Sequence, residues 1–84
     1  MMTKEDAIKI IKEENLKYYN LNEDRSNDEN EVGIQKKNGL WIVYATDERA
    51  STVTGSETLF ENESNAWGNF IKRLRAINKL REIK

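Results

Sequence analysis

The side chains of this chain that could do chemistry are carboxylates, lysines, arginines and tyrosines, because its 84 residues include no histidine and no cysteine. That removes the commonest zinc ligands, disulfide bonds, and both Ser-His and Cys-His nucleophilic machinery. Two acidic clusters remain. The first, EDRSNDENE at 23–31, holds five acids and one arginine, a net of −4. Asp24, Ser26 and Asp28 alternate as calcium ligands do in an EF-hand loop. However, the sixth position is Glu29 instead of the glycine of the sharp turn, and the twelfth is Gln35 instead of a bidentate glutamate. The second cluster is Asp47-Glu48-Arg49. Neighbouring carboxylates at a strand end point apart, whereas acid/base catalysis needs two that share a cleft. The triplet is expected to be a surface turn, either structural, with Arg49 bridging to a nearby carboxylate, or a partner contact. No catalytic residue, cofactor or metal is expected.

The elements that must position these groups follow from the rest of the chain. Eighty-four residues suit one domain, spanning 1–84, with a thin margin of stability. No apolar run reaches the roughly 18 residues of a membrane span, and the amino terminus is charged throughout, so a cytoplasmic protein is expected. The net charge of −1 conceals a division, since 62–84 holds six bases and two acids, a net of +4. The molecule is an expected electrostatic dipole.

Thr3 and Asp6 form a helix-start pair, and Ala7, Ile8 and Ile11 follow at helical spacing, predicting a helix over 4–14. LKYYNLN at 16–22 reads as a strand with Tyr19 and Leu21 facing inward. Asn38-Gly39 is the preferred pair for a two-residue type I′ hairpin. That turn sets Lys37 against Leu40, Lys36 against Trp41, Ile34 against Val43 and Val32 against Ala45. The last three pairs share the core face, with the Lys36 stem over the Trp41 ring. On the other face, Ile42 and Tyr44 are larger than a solvated strand needs. They form a candidate binding patch unless Tyr18 or a loop covers them. ASTVT at 50–54 reads as a fourth strand. Asn62 caps a final helix whose Ala66, Trp67, Phe70, Ile71, Leu74, Ile77 and Leu80 make an apolar stripe, with Lys72, Arg73, Arg75, Lys79 and Arg81 around it. Gly68 within it suggests close packing against the sheet. The expected fold is α+β, an antiparallel four-strand meander packed on one face by an N-terminal and a C-terminal helix (α-β-β-β-β-α).

YNLNEDR (19–25), NEVGIQKKNGLWIVYATDERA (30–50) and LFENESNAWGNFIKRL (59–74) carry a resemblance. Across nearly the whole chain, the sequence resembles the small α+β immunity proteins of bacterial polymorphic-toxin systems. The resemblance implies a cytosolic, non-enzymatic protein that binds and neutralises a cognate secreted toxin, and it carries over no contact residue. Acidic patches suit such a role where the toxin presents a basic cleft. The candidate contacts are Asp24, Asp28, Glu29, Ile42, Tyr44, Asp47, Glu48 and Arg49, on a chain expected to be monomeric when free. Two alternatives stay open: a nucleic-acid-binding or regulatory module using the basic helix, and a generic domain that dimerises through the Ile42/Tyr44 face or an open sheet edge.

Overall fold

The computed structural model describes residues 2–21, 30–47, 49, 51–53 and 55–82, and the side chains of all of these except Arg81 and Glu82. Helix α1, Lys4–Glu14, begins at a capping box. The Thr3 N–H donates to Asp6 Oδ2 at 3.1 Å, and the Asp6 N–H donates to Thr3 Oγ1 at 3.2 Å. It ends where Asn15 turns left-handed at φ 52° and the Leu16 N–H returns to the Ile11 carbonyl at 3.0 Å. Ala7, Ile11 and Leu16 are buried, and Ile10 packs against them.

Strand β1 is short, Tyr19–Leu21, because Tyr18 also sits at positive φ (69°) and breaks the extended run expected from Leu16 onward. Tyr19 and Leu21 do face the core. The expected all-antiparallel meander is corrected here. Strand β1 pairs in parallel with β2, Val32–Lys37, matching Tyr19 with Val32 and Leu21 with Ile34. Three residues span only about 10 Å, so the ten residues between Leu21 and Val32 suffice for the return that a parallel pairing needs. A tight hairpin is not forced by that connection.

The β2–β3 hairpin matches its expected register at every pair, with β3 spanning Leu40–Ala45. Asn38 and Gly39 both have positive φ (52° and 80°), as a type I′ turn requires. The Lys36 ammonium lies 5.5 Å from the Trp41 ring centroid. The fourth strand is not ASTVT. Residues 51–53 make an isolated Thr46–Thr52 bridge and a hydrogen bond from the Val53 N–H to the Ala45 carbonyl. Strand β4 is Thr58–Phe60, antiparallel to Trp41–Val43, with Phe60 packed on the core. Ala50 and Thr54 lie outside the described residues. The sheet order is β1-β2-β3-β4, which makes β1 and β4 its edges.

Helix α2, Glu63–Glu82, starts where Asn62 Oδ1 accepts the Asn65 N–H at 3.1 Å. Its stripe of Ala66, Trp67, Phe70, Ile71 and Leu74 is buried against Val32, Ile34 and Val43, while Leu80 is 70% exposed. Trp67 meets Trp41 at 5.8 Å and Phe70 edge-on at 5.6 Å. The Asn78 amide accepts the Lys17 N–H and donates to the Lys17 carbonyl, both at 2.8 Å, tying α2 to the link between α1 and β1.

Gly68 corrects another expectation. A Cβ placed there meets nothing within 4 Å, so the glycine is not making room for the sheet. Gly68→Ala should therefore raise stability by about 1 kcal/mol. The thermal midpoint should rise by about 4–8 °C. A midpoint that falls would show that this residue's environment has been misread.

Candidate interaction surface

The Asp47 carboxylate organises the turn after β3. Its Oδ1 accepts the backbone N–H of Arg49 at 2.8 Å and of Ser51 at 3.1 Å, while its own N–H donates to the Ser51 carbonyl. This is the self-bonding that makes aspartate a turn former. Among the described residues, the contact of Arg49 to a carboxylate comes from its backbone and not its side chain, and Arg49 is exposed. Asp24, Asp28, Glu29 and Glu48 lie outside the described residues.

Ile42 and Tyr44 are on the face opposite the helices but are only 9% and 7% exposed, so neither offers a free apolar patch. The Tyr44 ring lies across Gly33, its partner in the hairpin register, where a Cβ would come within 2.2 Å of Tyr44 Cζ. Among the described residues of the strands, Leu59 exposes an apolar side chain on this face, paired with Ile42 and 60% exposed. Exposed Glu57 and Glu61 flank it. These three residues were missed because ASTVT was expected to be the last strand before the final helix. The signal was present as alternation, E-T-L-F-E with Phe60 inward and Leu59 outward.

The basic helix is less available than its composition implies. Arg73 Nη1 donates to the Ser56 carbonyl at 2.7 Å, and Nη2 donates to Thr58 Oγ1 at 2.6 Å, pinning the approach to β4. Burial lowers the pKa of this guanidinium, which nonetheless stays cationic. Arg75 forms a two-pronged pair with Glu14, Nε to Oε1 at 3.0 Å and Nη2 to Oε2 at 2.5 Å. A shallow cleft of about 330 Å³ is lined by Glu14, Leu16, Arg75, Asn78 and Lys79, and two of its three charged side chains, Glu14 and Arg75, are engaged with each other.

The pair has a pH signature. The hydrogen bond from Arg75 holds the Glu14 carboxyl below its ordinary pKa. A depressed carboxylate stabilises the fold above the unfolded pKa and loses that contribution as pH falls through the folded one. Glu14→Gln should flatten this part of the acid limb of a stability-versus-pH curve. An unchanged acid limb would refute the assignment.

Among the described residues, no group of three acids, histidines or cysteines could hold a metal, and no helix is long and apolar enough to cross a membrane. The family model described as Immunity protein 59 matches residues 2–84. The chain belongs to the Immunity protein 59 family. No curated protein and no solved structure matches it. Membership of the Immunity protein 59 family points to a toxin system and directs attention to features of the surface. The described surface of this member offers two features of that kind, the Asp47–Ser51 turn and the Leu59 strand with its glutamates.

Proposed function

We propose that this protein is the immunity partner of a secreted toxin domain of a polymorphic-toxin system. It binds that domain stoichiometrically in the cytosol of the producing cell and blocks it without catalysis. The observation that carries this reading is the family match over 2–84. The structure supports it by what such a role needs: a core under a braced sheet, with charge displayed at strand ends. The acidic residues Asp24, Asp28, Glu29 and Glu48, with Arg49, form the charged rim of the contact and steer a basic toxin surface. Asp47 shapes its turn through the bonds to the Arg49 and Ser51 N–H groups, and Ile42 and Tyr44 support the face from beneath. A nucleic-acid role for α2 is disfavoured, since Arg73 and Arg75 are engaged within the chain.

The test is co-expression with the toxin domain encoded beside this chain, followed by co-purification. A one-to-one complex that restores growth is expected. Growth arrest that persists despite well-expressed, folded protein would overturn the reading.

A further inference from the structure

Strand β4 is an edge whose open side can be worked out from the hairpin. A two-residue turn makes Lys37–Leu40 the first hydrogen-bonded pair, and such pairs alternate along an antiparallel ladder. Leu40, Ile42 and Tyr44 therefore direct their backbone groups to β2, and the series continues with the Thr46 N–H donating to the Glu31 carbonyl at 2.8 Å. Trp41, Val43 and Ala45 face the other way, as the bond from the Val53 N–H to the Ala45 carbonyl shows. Phe60 and Thr58 stand opposite Trp41 and Val43 and pair back to them. Leu59, between them, turns its N–H and C=O outward.

The same residue exposes its side chain, so one position offers a donor, an acceptor and an apolar anchor. Glu57 and Glu61 are exposed two residues to either side, about 13 Å apart along an extended chain. Segment 57–63, ETLFENE, has three acids and no base. Edges are commonly protected by lysine, proline or a bulge, and β4 has neither lysine nor proline. Its flanking glutamates instead repel a second acidic copy and attract a basic strand. The approach is also rigid, held by Arg73 on Ser56 and Thr58 and by Phe60 in the core. Little ordering entropy would be lost on docking.

We infer that the β4 edge is a strand-addition site for an extended, basic segment of the toxin domain, with Leu59 as its apolar anchor and Glu57 and Glu61 as its charge partners. The inference rests on the proposed immunity role and adds to it a surface and a mode of recognition.

The experiment uses the full chain and the toxin domain encoded beside it. Affinity is measured at two salt concentrations for the wild type, Leu59→Lys, Glu57→Lys/Glu61→Lys, and a control on exposed positions of α1, Glu5→Lys/Glu13→Lys. Circular dichroism and thermal midpoints verify the fold of each, and Leu59 is exposed enough to be replaced without opening the core. Leu59→Lys should weaken binding about 100-fold. The Glu57/Glu61 reversal should weaken it at least tenfold and reduce its salt dependence, while the control stays within about threefold. The Leu59 amide should gain hydrogen-exchange protection in the wild-type complex. A wild-type complex that tolerates all these changes and leaves that amide unprotected would overturn the site alone. If the wild type forms no complex, the immunity role fails and the site with it. A homodimer dispersed by Leu59→Lys would assign the edge to a second copy instead.

Discussion

Phe70→Ala should cost this protein about 3–5 kcal/mol, the range for deleting a fully buried aromatic ring. An 84-residue chain has only about 4–13 kcal/mol of total stability, so the variant should be close to unfolding. Phe70 is 0% exposed, lies edge-on to Trp67, and belongs to the cluster that joins Ile71 and Leu74 to Ile34 and Val43. Removing it strips the α2–sheet contact from the middle, where neighbouring backbone is held by helix and sheet hydrogen bonds and cannot collapse into the void. Urea unfolding followed by tryptophan fluorescence is the direct measurement. The midpoint should fall by at least 1 M, or no native baseline should remain. A loss under 1 kcal/mol would mean that the core is not organised around this ring.

Gly33→Ala should destabilise by about 1–3 kcal/mol, although alanine is the better residue for an ordinary strand position. The added Cβ would lie 2.2 Å from Tyr44 Cζ, 2.5 Å from Oη and 2.6 Å from Cε1. Those atoms are the far end of a side chain, so the ring can move, but it is buried and must give up its seat over the strand. The cost is then repacking of the ring, and the sign of the effect reports the ring's position. A double-mutant cycle with Tyr44→Thr separates the causes: once the ring is gone, Gly33→Ala should be nearly neutral or favourable. Additive losses in that cycle would remove the ring from the explanation.

The Tyr44 seat also bears on the binding surface. A sequence with Ile42 and Tyr44 on one face and Glu31, Gly33 and Gln35 opposite suggests an exposed aromatic patch. The glycine reverses this, because its missing side chain leaves a groove that the facing ring fills. Register alone set Gly33 against Tyr44, but it is in the folded chain that the ring lies down over the glycine instead of standing into solvent. The exposed apolar side chain on that side of the sheet therefore lies one strand outward, at Leu59.

What the sequence determined by itself was governed by contacts within a few residues. The Thr3–Asp6 box, the Asn62 cap, the α2 stripe and the Asn38-Gly39 hairpin with its full register were all legible, because capping groups and turn dihedrals act locally. The family resemblance was legible too, and the match over 2–84 bears it out. Tertiary structure decided the rest. The direction of β1 depends on which strand edge is free to receive Tyr19–Leu21, which no turn residue encodes. The choice of Thr58–Phe60 over ASTVT as β4 depends on Phe60 reaching the core and Arg73 bonding to Ser56 and Thr58 across the fold. Arg73 itself looked like surface charge, since a helical wheel cannot show that a strand's carbonyl waits at its tip. Local chemistry sets what each segment can form; burial and distant hydrogen bonds select which of those forms the whole chain keeps.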